Sequence, residues 1–221
     1  MERALIIGDS GGIGSAVKAA LVAQGVTVVG LSRSVDGLDV TSETSVAACL
    51  GALQGPFDLI FVATGALEID GHEPEKTIKA LEPEALLAQF KLNTVGPAMV
   101  LKHALRLLPT DGRAVIAVLS ARVGSIGDNG LGGWYSYRTA KAAVNQIVHS
   151  TAIEVGRSHK EAIIVSLHPG TVATKFTEKY AGRHKTVPAD EAAQNLLCVI
   201  SELGTDQSGG FFDWAGKEVP W

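Results

Sequence analysis

The chain has 221 residues, 46% of them apolar and 19% charged, which is enough to bury a sizeable core and excludes a disordered chain. A net charge of −4 with scattered basic residues gives no electrostatic reason to expect nucleic acid or an anionic membrane as partner. No apolar run approaches the roughly 18 to 20 residues of a membrane span, and Met1-Glu2-Arg3 leads directly into Ala4-Leu5-Ile6-Ile7 without a signal-peptide layout, so a cytoplasmic protein is expected.

Short Val- and Ile-rich runs alternate with longer segments of helical period, the pattern of a parallel sheet with crossover helices on both faces. This predicts an α/β fold, a Rossmann-type doubly wound sheet, as one domain over residues 1–221. The first strand candidate, from Ala4, runs into GDSGGIG, residues Gly8, Asp9, Ser10, Gly11, Gly12, Ile13 and Gly14, which opens a helix ending near Gly25. Glycines there allow a tight turn and let backbone N–H groups approach a pyrophosphate at a helix N-terminus; an ordinary strand-to-helix loop is the plainer reading.

The second strand, from Val26, ends in Leu31-Ser32-Arg33, where a carboxylate would hold the ribose 2′-hydroxyl of NAD. Arg33 instead suits a 2′-phosphate through charge-assisted hydrogen bonds, so NADP(H) is the preferred cofactor and NAD(H) a possible one. Only SRSVDGL separates this strand from Asp39-Val40 and the next helix, too short for a crossover, so the third strand of the usual series is short, at the edge or missing. A strand from Asp58 ends in Val62-Ala63-Thr64-Gly65.

The longest helix is expected from about Pro83 to Leu108, with Asn93 in KLNTVGP and a bend at Pro97. A strand from Ala114 ends at Ser120-Ala121, and a helix beginning at Tyr135 carries Tyr137 and Lys141, one turn apart and on one face. By itself that spacing more often marks a plain surface pair. A strand from Ala162 leads through His168, read as structural, into Pro169-Gly170-Thr171-Val172-Ala173-Thr174; a helix over Pro188 to Leu203 and a strand from Gly209 complete the series. Cys49 and Cys198 lie in apolar helical patterns and are expected to be buried thiols, and the six histidines show no metal-ligand spacing.

Taken in order, GDSGGIG, Asp39-Val40, Asn93, Tyr137-x-x-x-Lys141 and PGTVAT resemble five motifs of the short-chain dehydrogenase/reductase family. The run from Ser120 to Asn145 resembles the subgroup of C-factor-like signalling proteins and sniffer-type carbonyl reductases. The resemblance implies catalysis by Tyr137, Lys141, Asn93 and a serine. It also implies cofactor contacts from the Gly8–Gly14 turn, Ser32, Arg33, Asp39, Val40, Ala63, Thr64, Gly65, Tyr137, Lys141, Pro169, Gly170, Thr171, Val172 and Thr174. Tyr137 would pass its proton to a carbonyl oxygen, or take one from an alcohol, while hydride moves to or from nicotinamide.

Lowering a phenol from about 10 to about 7 needs roughly 4 kcal/mol, which one cation at about 4 Å supplies in an effective dielectric of about 20. Lys141 is expected to do this and to hydrogen-bond the nicotinamide ribose, with Asn93 anchoring a water beside it. The family's serine falls three residues before a glycine, and counting back from Gly124 gives Ala121. Ser120 is the serine candidate, with Ser125 or a backbone N–H as the alternatives. The segment 175–187 occupies the place of a substrate lid with a cationic balance. A homodimer or homotetramer formed through the long helices is implied, acting on a small carbonyl or alcohol; a non-catalytic NADP(H)-binding sensor is the competing class.

Overall fold

The computed structural model describes residues 1–174, 177 and 186–221; most of the expected lid segment lies outside these residues. In chain order the larger elements are β1 (Arg3–Ile7), α1 (Gly12–Ala23), β2 (Thr27–Leu31), α2 (Arg33–Asp36), α3 (Glu43–Gly51) and β3 (Leu59–Val62). Then come α4 (Pro83–Phe90), a π-helical turn (Lys91–Val95), α5 (Gly96–Ala104), β4 (Ala114–Leu119), α6 (Tyr135–Val155), β5 (Ala162–His168), α7 (Ala189–Glu202) and β6 (Phe211–Asp213).

The six strands form one parallel sheet in the order β2-β1-β3-β4-β5-β6. The space between β2 and α3 holds a four-residue helix and a turn, so the third strand of the usual series is missing and β2 is the edge. Strands β3 and β4 are buried along their whole length, as expected of strands covered on both faces. One face packs Leu5, Ile7, Ile60, Val62, Ile116, Val118 and Ile164 under residues of α3, α5 and α6. The other packs Ala4, Ile6, Phe61, Val115, Leu119, Val165 and Leu167 under α1 and α7.

The chain leaves β1 toward β2 on one side and returns to β3 on the other, which opens a crevice at the carboxyl ends of the central strands. Between α4 and α5 the helix widens: Gly96 donates its N–H to the Lys91 carbonyl, five residues back. Pro97 follows and brings no N–H to the carbonyl of Asn93. The expected bend is thus an extra residue inserted ahead of Pro97 rather than a kink at it. The two thiols depart from expectation: Cys49 is only partly buried and Cys198 is exposed on α7, with Glu202 one turn along. Among the described residues no helix is long and apolar enough to cross a membrane.

Candidate active site

Following β1, Gly8 adopts φ +90° and its N–H donates to the Leu31 carbonyl, while Gly11 donates to the Gly8 carbonyl at 3.0 Å. Gly14 packs so closely on this turn that a Cβ would overlap the Gly8 carbonyl oxygen, and a Cβ on Gly12 would come within 2.5 Å of Thr174 Cγ2. The N-terminus of α1 carries no side-chain cap and no acidic residue in its first turn, so its N–H groups suit an anion.

The turn forms one end of a cavity of about 590 Å³. Ser10, Gly11, Gly12 and Ile13 line that end, with Thr174 against Gly12, and Ala63, Thr64, Gly65, Ser120, Ala121, Tyr137, Lys141, Pro169, Gly170 and Val172 line the rest. Gly8 and Gly14 do not line it. Ser32, Arg33, Asp39 and Val40 stand outside this cavity, as do Thr171 and Asn93.

Arg33 is exposed at the start of α2. A carboxylate does stand near the end of β2, though not where the spacing rule looks for it: Asp36 folds back to accept the Ser32 N–H at 2.8 Å. Asp39 accepts from the Thr41 hydroxyl at 2.7 Å and the Thr41 N–H at 2.9 Å, and these bonds hold its pKa below the usual carboxylate value. Val40 is buried against Gly96, so its side chain belongs to the core and only its backbone faces outward contacts.

Tyr137 and Lys141 lie on the inner face of α6, 5% and 3% exposed. Lys141 Nζ stands 5.8 Å from the centre of the Tyr137 ring and donates to the Leu119 carbonyl at 3.0 Å. The expected acidification of the phenol is not what the polypeptide alone produces. Burial pushes the Tyr137 pKa upward, and the same burial lowers Lys141 to about 8. Both charged forms are penalised by desolvation, and the ammonium is directed at a carbonyl rather than at the phenolic oxygen.

Asn93, in the π-helical turn, is fully buried, and its amide is committed. It donates to the Ala66 carbonyl at 2.9 Å and to Gln89 Oε1 at 2.6 Å, and accepts the Ala66 N–H at 3.2 Å. It therefore holds the loop behind Thr64 and Gly65. A Cβ on Gly65, which has φ +142°, would meet Asn93 Oδ1 at 2.5 Å and Lys141 Nζ at 3.6 Å. Ser125 is likewise committed, donating to the Pro220 carbonyl and accepting the Asp128 N–H, so it is not the alternative donor. Ser120 lines the cavity, its hydroxyl buried without a hydrogen-bond partner.

Sequence reasoning missed Gln89 and Glu75. Trp134, at the N-cap of α6, has φ 53° and supplies no cap. Glu75 takes over from 61 residues away, one carboxylate oxygen accepting the Ser136 N–H at 3.2 Å and the other the Ser136 hydroxyl. The Trp134 ring meets Tyr137 edge-on at 6.3 Å. The only sequence signal for Glu75 is a carboxylate beside Pro74, which does not point to a helix so far along the chain.

A sheet with a glycine turn at its switch point and a Tyr-Lys pair across the cavity defines a nucleotide-binding α/β protein. Residues 7–201 match the family described as Enoyl-(Acyl carrier protein) reductase, and the chain belongs to the short-chain dehydrogenase/reductase family of oxidoreductases. It is 30% identical, over the full length of both chains, to 1-hydroxy-2-glutathionyl-2-methyl-3-butene dehydrogenase of Rhodococcus sp. (strain AD45). It is 36% identical to the C-signal of Myxococcus xanthus over 60% of this chain and 76% of that one. In fold it is similar to the carbonyl reductase Sniffer of D. melanogaster, with TM-score 0.81, 23% identity and full coverage of both chains. It is also similar to an NADPH-bound carbonyl reductase from chicken fatty liver, with TM-score 0.85, 24% identity, and coverage of 100% of this chain and 94% of that one.

Proposed function

We propose that the protein is an NADP(H)-dependent oxidoreductase that reduces a carbonyl, or oxidises the corresponding alcohol, over the whole of residues 1–221 as one functional unit. The observation that carries this reading is the single cavity joining the glycine turn to Tyr137 and Lys141. The residues suit the cofactor. The uncapped N-terminus of α1 would receive a pyrophosphate, the exposed Arg33 a 2′-phosphate, and the hydroxyl of Thr64, buried without a partner among the described residues, a ribose. The chicken enzyme's NADPH supports the same choice.

When bound, the nicotinamide supplies or accepts hydride at the substrate carbon. Tyr137 gives its proton to the carbonyl oxygen in reduction and recovers it in oxidation. In the polypeptide alone burial holds it as the protonated phenol, the form a reductase needs at the start of turnover. Lys141, which donates to the Leu119 carbonyl, would also hold the nicotinamide ribose and keep a positive charge near the phenol as its proton leaves. Asn93 braces Ala66 and so fixes the floor at Gly65. The exposed apolar residues Leu87, Phe90, Val95 and Ile153 on the long helices suit a homodimer or homotetramer.

The test is NADPH consumption against a panel of aldehydes, ketones and quinones, for the parent and for Tyr137→Phe. Turnover lost about a thousandfold in the variant with NADPH binding unchanged is the expected result. Tight NADPH binding with no turnover of any carbonyl by the parent would favour a sensor, the reading that 36% identity to a protein named C-signal and alanine at position 121 support.

A further inference from the structure

The cavity contains a histidine that the mechanism above does not use. Ser120 donates its backbone N–H to the Leu167 carbonyl at 2.8 Å, extending the β4–β5 ladder one step beyond the Leu119–Leu167 pair. Ser120 is thereby set opposite His168. Leu119 and Leu167 both pack on the α1 and α7 side of the sheet, so by alternation Ser120 and His168 face the α6 side, where Tyr137 and Lys141 lie.

All four residues line the same cavity. Ser120 Oγ and His168 Nδ1 are both buried without a hydrogen-bond partner among the described residues. Each such atom calls for an explanation, and these two stand opposite each other. Neighbouring strands lie about 4.8 Å apart, a separation that rotation of the Ser120 hydroxyl spans. His168 lines the cavity and is only partly buried as a whole although Nδ1 is enclosed, which leaves Nε2 as the ring nitrogen available to a ligand.

We infer that His168 is the second hydrogen-bond donor to the substrate oxygen: the Ser120 hydroxyl donates a hydrogen bond to Nδ1, which fixes the N–H on Nε2 and aims it at the carbonyl that Tyr137 protonates. This rests on the oxidoreductase reading of the same cavity. Ala121, beside Ser120 in the cavity wall, has no side-chain donor, and Ser125 is bound elsewhere. The ring donates as a neutral imidazole: burial, with Arg122 adding to it and Asp213 opposing, lowers its pKa to about 4. A neutral imidazole carries one N–H, and the bond made by the other nitrogen decides where it sits. In this arrangement His168 touches substrate and is catalytic, while Ser120 positions it; no covalent bond is made or broken at either residue.

The experiment compares the parent with Tyr137→Phe, His168→Leu, His168→Gln and Ser120→Ala on a carbonyl that the parent turns over, for example a para-substituted benzaldehyde, with NADPH affinity measured separately. Loss of one such donor lowers kcat on the order of a hundredfold. The expected result is that loss in His168→Leu, equally in kcat and kcat/KM, with NADPH affinity unchanged; a smaller loss, about tenfold, in Ser120→Ala; and recovery of most of the rate in His168→Gln, whose amide N–H reaches the same place. Independently of turnover, ¹⁵N spectra of histidine-labelled protein at pH 7 should show His168 neutral with its proton on Nε2, and Ser120→Ala should disturb that tautomer. If His168→Leu works within about threefold of the parent while Tyr137→Phe is inactive, the inference is overturned and the oxidoreductase reading stands. If Tyr137→Phe keeps the parent's rate, the reading itself fails and takes the inference with it. A protonated ring or an Nδ1–H tautomer at pH 7 overturns the inference even where the leucine variant does not fold.

Discussion

At the glycine-turn end the cavity wall is main chain, fixed by contacts that leave no room for a Cβ at Gly14 and little at Gly12. At the Tyr137 end it is side chains, enclosed among apolar neighbours and only partly matched in hydrogen bonds. The first end tolerates change in most side chains but not in backbone shape. The second holds its backbone in regular helix and strand and is sensitive to single polar atoms. The difference follows from what each must do: a pyrophosphate is held by N–H groups that every residue carries, whereas proton transfer needs one hydroxyl in one place.

Substitutions can separate the two ends. Gly14→Val should have the largest effect, because its Cβ overlaps the Gly8 carbonyl. A loss on the order of 5 kcal/mol is expected, with a fall in Tm of 10 to 20 °C read by calorimetry. If Gly14→Val melts like the parent, the close-packed account of the turn is wrong. Tyr137→Phe should leave Tm and NADPH affinity alone while removing about 4 kcal/mol of transition-state stabilisation, the thousandfold loss in kcat named above.

Arg33→Asp tests the open edge of the first end. It should weaken NADPH binding about thirtyfold, about 2 kcal/mol, and leave NADH affinity nearly unchanged. Equal effects on both nucleotides in titration would instead point to Asp36 and a 2′-hydroxyl. At the other end, the depressed pKa of His168 makes stability depend on pH in a defined window. Below about 6.5 the unfolded chain takes up a proton that the folded one refuses down to about 4. Stability is therefore complete above that window and falls as pH drops through it, by about 2 kcal/mol after allowing for the partial exposure of the ring. Asp213 and Arg122 act on the ring with opposite signs. Denaturant titrations at pH 4.5 and 7 should show the difference shrinking in His168→Gln. The smallest effect is expected for Glu75→Gln, about 1 kcal/mol from weakening the charge at the start of α6, seen in Tm with NADPH affinity unaltered.

Much of this was legible in the sequence, for identifiable reasons. Strands such as Leu59–Val62 and Ala114–Leu119 are apolar throughout because both faces are covered, and seven residues between β2 and Asp39 leave no space for a crossover. Tyr137 and Lys141 share a face because four residues make a turn. What stayed hidden depends on distant partners. The amide of Asn93 is an instance, bound to Ala66 and Gln89 in the folded chain. The same is true of Glu75, which caps a helix starting 60 residues later, and of Asp36, which turns back on its own strand. Val40 matched a cofactor motif, yet its side chain is a core contact to Gly96. The effect of Lys141 on the phenol was expected from charge and distance alone, and burial, which a sequence does not display, acts in the opposite direction on both groups.

The wide turn at Lys91–Val95 also sets a rotational phase. Each helical residue advances about 100° around the axis, so the inserted residue shifts everything from Gly96 onward relative to α4. Deleting one residue there would restore a regular spiral and still swing Val100, Leu101 and Ala104 out of the interior, where all three are now enclosed. The loosest-wound part of the longest helix is thus its angular reference, and a shorter, more ideal version of the helix would bring the wrong stripe of side chains to the sheet.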